Sequence, residues 1–213
     1  NSLKVRFFNF LAKSIKFNNY FYLISGIPDA KFKSKKVIHG SSWDMAKTFI
    51  KNKNLNTRSK FAVYVQSTMA HAADQIIIGP NMPIIDKQRW FKNLNKFFDY
   101  FEKKYNLKVI IAAHPKVNRS QAAKLFRKRK VFKNMTKELI HKSNFVFFER
   151  SSAINFIVKY KKPAVMLYNK DTISNSYHKK THMGFSKLLG IKNIDIEKYV
   201  EKDFKNLFFI NKI

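Results

Sequence analysis

Apolar residues recur along this chain with two different periods. Between residues 86 and 105 they fall at Trp90, Phe91, Leu94, Phe97, Phe98, Phe101 and Tyr105, which is the 3.6-residue stripe of one helix face. Asp86 stands where the first turn needs a cap. Residues 107–113, 145–148 and 163–168 are instead short, nearly unbroken apolar runs, the pattern of strands covered on both faces in a parallel sheet. A further strand is predicted at 61–65. Helices are predicted at 120–127, at 136–142 with Thr136 as its cap, at 151–160, and at 181–189 with Gly190 as its stop. The tail reads as a helix near 196–204 and a strand at 207–210. Such alternation predicts an α/β fold with a doubly wound, mostly parallel sheet.

The first part of the chain has another character. Residues 3–17 form a basic, Phe-rich helix pattern. Residues 20–25 and 37–38 are strand-like, and 43–49 read as a short helix capped by Ser42. Residues 51–60 are polar and poor in apolar side chains. A boundary is therefore placed there, with 1–59 as the end of another domain and 60–213 as the sheet domain. Because the chain opens on Asn1, it reads as a piece of a longer protein.

Composition removes several classes. With 213 residues and 45% hydrophobic content the chain can bury a core, and with no cysteine it has no disulfide framework or thiolate metal site. No segment reaches the roughly 20 apolar residues of a membrane span. The 43 basic and 13 acidic residues give a net charge of +30, which points to a polyanionic partner. However, 36 of the bases are Lys and only 7 are Arg, and there are 20 Asn. Codon bias in an AT-rich genome accounts for that mixture better than a nucleic-acid reader, which leans on the Arg fork. Attraction to anionic lipid is a third reading, compatible with catalysis.

Ligands of open parallel sheets bind beyond the carboxyl ends of the strands. Two groups of residues fall there. His114-Pro115-Lys116 follows the strand 107–113: the His can donate to a phosphate, Pro115 sets the turn and Lys116 adds a cation. An ordinary strand-ending turn reads the same way. Ser151-Ser152 lies between the strand 145–148 and its helix, where small hydroxyls and free N–H groups suit a phosphate or merely cap the helix. Glu149 and Arg150, just before them, could read a base or ribose, or pair with each other. His71 and Asp74 could form an acid/base pair or lie in a solvated loop. His178 and His182 sit in a basic segment with Lys179 and Lys180. Neither a Gly-rich phosphate loop nor a helical His-Glu metal motif occurs.

These residues resemble a family. Residues 61–168 are similar to the nucleotide-binding half of GT-B glycosyltransferases, in particular bacterial sialyltransferase-like, capsule and lipo-oligosaccharide enzymes. The resemblance rests on "VIIAAHPK", with His114 and Pro115, and on "FFERSSAINFIVKYKKPAVML", with Ser151 and Ser152. Between them "NMTKELIHKSNFVFF" matches the intervening Thr-x-Glu-Leu-Ile helix and strand. "FAVYVQSTMAHAADQ" resembles the strand that opens this half. The resemblance implies that 60–213 is a Rossmann-like, nucleotide-sugar-binding domain and 1–59 the remnant of the acceptor-side domain. It implies transfer of an acidic sugar, sialic acid or Kdo-like, from a CMP-activated donor to a glycan hydroxyl in surface polysaccharide or lipopolysaccharide synthesis.

In this scheme His114, Pro115, Lys116, Thr136, Glu149, Ser151 and Ser152 surround the nucleotide and its phosphate. No metal or other cofactor is expected. The partners are the nucleotide-sugar donor and a glycan or lipid-linked acceptor. The setting is cytoplasmic, with a peripheral seat on the inner membrane face. Two departures stand out. Residues 1–58 lack the acidic-acidic-Gly motif that carries the family's base, leaving Asp74 as the local candidate for catalysis. Gln66-Ser67 stands where related chains end the first strand in Asp-Gln. A transferase or epimerase with a UDP- or CDP-linked donor fits the same residues. So does a non-catalytic basic module binding nucleic acid or another polyanion.

Overall fold

The structure, a computed structural model, describes residues 61–68, 70, 85–127, 129–174 and 176–199, together with the backbone of 22–25 and 37–40. The chain falls into two compact units, 1–52 and 53–213. In the first, β1 (Tyr22–Ser25) and β2 (Val37–Gly40) pair in parallel, Tyr22 opposite Val37 and Ser25 opposite Gly40. The helices expected at 3–17 and 43–49 lie outside the described residues.

The second unit is an α/β layer structure. Its elements in chain order are β3 (Phe61–Val65), α1 (Lys87–Tyr105), β4 (Lys108–Ala113), α2 (Arg119–Leu125), β5 (Val131–Lys133) and α3 (Thr136–Lys142). They are followed by β6 (Phe145–Phe148), α4 (Ile154–Lys159), β7 (Ala164–Tyr168), α5 (Ser176–Leu189) and β8 (Lys192–Asp195). The six strands form one sheet in the order β5-β4-β3-β6-β7-β8, every pair parallel. The chain thus winds outward from β3 in one direction, returns through α3, and winds outward from β6 in the other. This is the doubly wound, Rossmann-like order, with its switch point between β3 and β6.

Alternation of side chains along the strands divides the core into two layers. Tyr64, Ile111, Phe145, Phe147, Val165 and Leu167 face the layer that holds α1. Val63, Val65, Val146, Phe148 and Met166 face the layer built from α3 and α4. Because both faces are covered, β6 is buried at all four positions.

The stripe of α1 is core, as its period predicts. Trp90, Phe91, Leu94, Phe97, Phe98 and Phe101 are all buried, at roughly 1.5–3 kcal/mol for each large side chain. Phe101 packs edge-on against Phe147 at 4.7 Å, and Phe97 against the same ring at 5.2 Å. Asp86 caps the helix by accepting from the Arg89 N–H at 3.0 Å. Asn106, at φ 52°, ends it in the left-handed conformation that Asn tolerates.

Several local expectations change. Thr136 does not cap α3: Met135 holds that position and no side chain bonds to the helix start. The helix expected from Ser151 begins only at Ile154, after a turn. The strands β5 and β8 are absent from the sequence reading, and residues 196–199 form a turn where a helix was expected to begin. The rest of that tail, including 207–210, lies outside the described residues.

Candidate functional site

Parallel pairing sets the ends of β3, β4 and β6 level with one another. Val65 lies opposite both Ala112 and Phe148, and the Gln66 N–H donates to the Ala112 carbonyl at 3.0 Å. The residues that leave the three strands therefore emerge together at the switch point. They are Gln66-Ser67 from β3, His114-Pro115-Lys116 from β4, and Glu149 to Ser152 from β6.

Glu149 has turned inward. It is 2% exposed, and its partners come from β3 and its end. The Tyr64 hydroxyl donates to Oε1, and the Ser67 hydroxyl donates to Oε2 at 2.5 Å. The carboxylate thus bridges the switch point, from the start of the β6 loop to the end of β3. Burial pushes its carboxyl above the ordinary range, and the two hydroxyl donors partly oppose that rise. The Tyr64 phenol rises well above its usual value, first through burial and then through the neighbouring Glu149 charge. Its ring is locked between Phe98 at 5.2 Å and Phe126 at 5.6 Å, so the hydroxyl that meets Glu149 has little freedom.

His114 is half-buried in a tight turn. Its Nδ1 accepts from the Lys116 N–H at 3.2 Å, and its carbonyl accepts from the Val117 N–H at 2.9 Å. An accepting Nδ1 leaves the proton of the neutral ring on Nε2, so the other nitrogen is a donor. Pro115 and Lys116 are exposed beside it.

Ser151 acts locally. Its Oγ accepts from the Ala153 N–H at 3.2 Å, and its carbonyl accepts from the Ile154 N–H at 3.2 Å. Ser152 is exposed. Thr136 follows β5, two strands out from β3, so it shares the sheet edge but not the switch point. His71 and Asp74 lie outside the described residues. His178 lies within α5. His182 is buried, with its ring 6.0 Å from that of Tyr168.

Two features at this edge escaped the sequence reading. Tyr64 and Ser67 gave little signal, since a Tyr within an apolar strand reads as core. The polar pair Gln66-Ser67 directly after a strand was the visible clue. Arg89, near the start of α1, donates to both oxygens of Asp171 beyond β7 and lies 3.7 Å from Glu197 beyond β8. It ties the two outer strand ends to the helix that follows β3. By contrast, a groove of about 530 Å³ lined by Phe61, Glu102, Lys108 and Arg129 opens at the amino ends of the strands, away from the edge that parallel sheets use for ligands.

Among the described residues no group of three or more His, Cys, Asp or Glu side chains is placed to hold a metal ion, and no helix is long and apolar enough to cross a membrane. Comparison with family models, with curated proteins and with solved structures finds no match to this chain.

Proposed function

We propose that the unit 53–213 binds a CMP-activated acidic sugar at the switch point and serves its transfer to a glycan hydroxyl. The observation that carries this reading is the convergence of His114, Ser67 and the Glu149–Ser152 segment at the level ends of three parallel strands. His114 Nε2–H, fixed as a donor by the Lys116 N–H on Nδ1, hydrogen-bonds the donor phosphate. Lys116 adds a positive charge, and the exposed Ser152 hydroxyl reaches the phosphate from the β6 side. These fixed donors stabilise CMP as it departs with the electron pair of the broken sugar–oxygen bond. The acceptor hydroxyl forms the new bond and gives its proton to a base, for which Asp74 is the local candidate. Glu149 touches none of the reacting atoms in this scheme. It is a positioning residue that joins the end of β3 to the start of the β6 loop.

Calorimetric titration at physiological salt tests the proposal. Saturable CMP binding is expected, weakened at least tenfold by His114→Ala, as for the loss of a hydrogen bond to a charged group. UMP, CDP and a single-stranded oligonucleotide are the comparisons. Tight, steeply salt-dependent oligonucleotide binding that ignores His114→Ala, without CMP binding, would replace the proposal with a basic binding module.

A further inference from the structure

The outward side of α1 and α2 is rich in cations, and its lysines have no acidic partner among the described residues. On α1, Lys87, Lys92 and Lys96 are exposed, and α2 adds Lys124, with Arg127 just after it. A groove of about 480 Å³ runs between the helices, with Phe91 and Leu125 in its floor and Lys87, Lys92, Lys124 and Arg127 around it. Among the described residues Lys87, Lys92 and Lys124 make no ion pair or hydrogen bond.

Among the described residues, the nearby acids are already engaged. Asp86 caps α1 through the Arg89 N–H. Asp99 holds Arg129 at 2.6 Å and meets Arg127 only at 4.0 Å, while Glu102 holds Arg129 at 2.9 Å. Lys92 has Gln88 and Lys96 as its neighbours four residues away, so the helix carries a like-charge pair where an acid would support it. A face that repels itself within the chain is complementary to an external anionic surface.

The chemistry of the face distinguishes between two such surfaces. Single-stranded nucleic acid is held by aromatic rings on which bases stack, but the groove's ring, Phe91, is 4% exposed and belongs to the core. The rim instead offers three Lys and one Arg, cations on long apolar stems that reach headgroup phosphates at a water–lipid boundary. We propose that the α1–α2 face seats the protein on an anionic lipid bilayer, with Lys87, Lys92, Lys124 and Arg127 among the headgroup phosphates. Lys87 opens the helix that follows β3, so this seat begins at the same sheet edge as the candidate site. The inference does not depend on the nucleotide reading.

The test is co-sedimentation of the full chain with phosphatidylcholine vesicles, with and without phosphatidylglycerol. The wild type is compared with two fourfold variants of identical charge. One carries Lys87→Gln, Lys92→Gln, Lys124→Gln and Arg127→Gln. The other carries Lys170→Gln, Lys179→Gln, Lys180→Gln and Lys187→Gln, all at exposed positions and none of them lining the groove. Each cation near an anionic surface is worth about fivefold in partitioning. The groove variant is therefore expected to lose more than tenfold in binding to phosphatidylglycerol vesicles, and the control less than threefold. Circular dichroism confirms that both are folded. Equal losses in the two variants would overturn the proposal in favour of diffuse charge. It is overturned as well if the wild type ignores phosphatidylglycerol, or if an oligonucleotide bound through these four residues displaces the vesicles.

Discussion

Arg129 and Glu149 lie at opposite edges of one sheet, both with side chains withdrawn from water, and their charges are handled in different ways. Arg129, before β5, has a side chain 1% exposed. It donates to Asn95 Oδ1 at 2.9 Å, Asp99 Oδ1 at 2.6 Å and Glu102 Oε2 at 2.9 Å, and its guanidinium lies 5.3 Å from the centre of the Phe98 ring. Glu102 in turn accepts from the Val109 N–H at 2.7 Å. Charge is balanced there, and the network binds α1 to the amino ends of β4 and β5. At the carboxyl edge Glu149 is buried with neutral donors alone, the Tyr64 and Ser67 hydroxyls and the Ser67 N–H. Burial without a cation favours the protonated carboxyl, a perturbation that structures tend to keep where a site needs it. The amino edge is built for stability, and the carboxyl edge accepts an electrostatic cost.

The largest effect is expected at the balanced edge. Arg129→Ala leaves Glu102 and Asn95 without their shared donor, and breaking a buried pair costs about 3–5 kcal/mol. Asp99 is 42% exposed and regains water, so a loss near the bottom of that range, about 3 kcal/mol, is expected in urea denaturation. A loss below about 1 kcal/mol would show that the network is incidental and remove one side of the contrast. Next comes Glu149→Ala, which strands the Tyr64 and Ser67 hydroxyls beside a small cavity and should cost about 2–3 kcal/mol. Glu149→Gln keeps an acceptor for one of them and needs no charge, so it should cost about 1 kcal/mol or less at neutral pH. If Gln proves as damaging as Ala, the charged carboxylate is what the fold requires, and the two edges are alike.

The sheet was legible because its central strands carry strong patterns. The runs at 61–65, 107–113, 145–148 and 163–168 are buried on both faces, and α1 shows a full stripe. The edge strands were not legible. Val131–Lys133 has three residues and one buried position, and Lys192–Asp195 buries only Ile194. Half-exposed edge strands lose the apolar run that marks a central one. Strand order was also beyond reach, since pairing β3 with both β4 and β6 is a long-range choice. It is that choice which makes neighbours of Ser67 and Glu149, 82 positions apart. His114 and Ser151 could be placed at strand ends from spacing alone, but the inward turn of Glu149 could not.

The unbalanced edge also has a signature in pH. The folded carboxyl of Glu149 sits above its ordinary value of 4.5, so the folded state holds this proton more tightly than the unfolded one. Its contribution to stability is therefore full below about pH 4.5 and falls as pH rises through the folded value. Glu149→Gln cannot titrate. The stability of the wild type relative to this variant should fall as pH rises above about 4.5 and level off above the folded value, while other groups cancel in the difference. A difference that stays flat between pH 4 and pH 7 would mean that the hydrogen bonds from Tyr64 and Ser67 fully offset burial.

The smallest effect separates capping from ligand binding at the same edge. Ser151 Oγ already accepts from the Ala153 N–H, so Ser151→Ala removes a local turn bond and should cost about 0.5–1 kcal/mol. Ser152 is exposed and its hydroxyl is used in the proposal only for phosphate, so Ser152→Ala should leave stability within about 0.5 kcal/mol. The two substitutions are thus expected to diverge, with Ser151→Ala lowering the urea midpoint and Ser152→Ala lowering CMP affinity. If both act on stability and neither on CMP, the pair is a helix-entry turn and nothing more. The phosphate would then rest on His114 and Lys116 alone, and β6 would contribute to the site only through the buried bridge from Glu149 to β3.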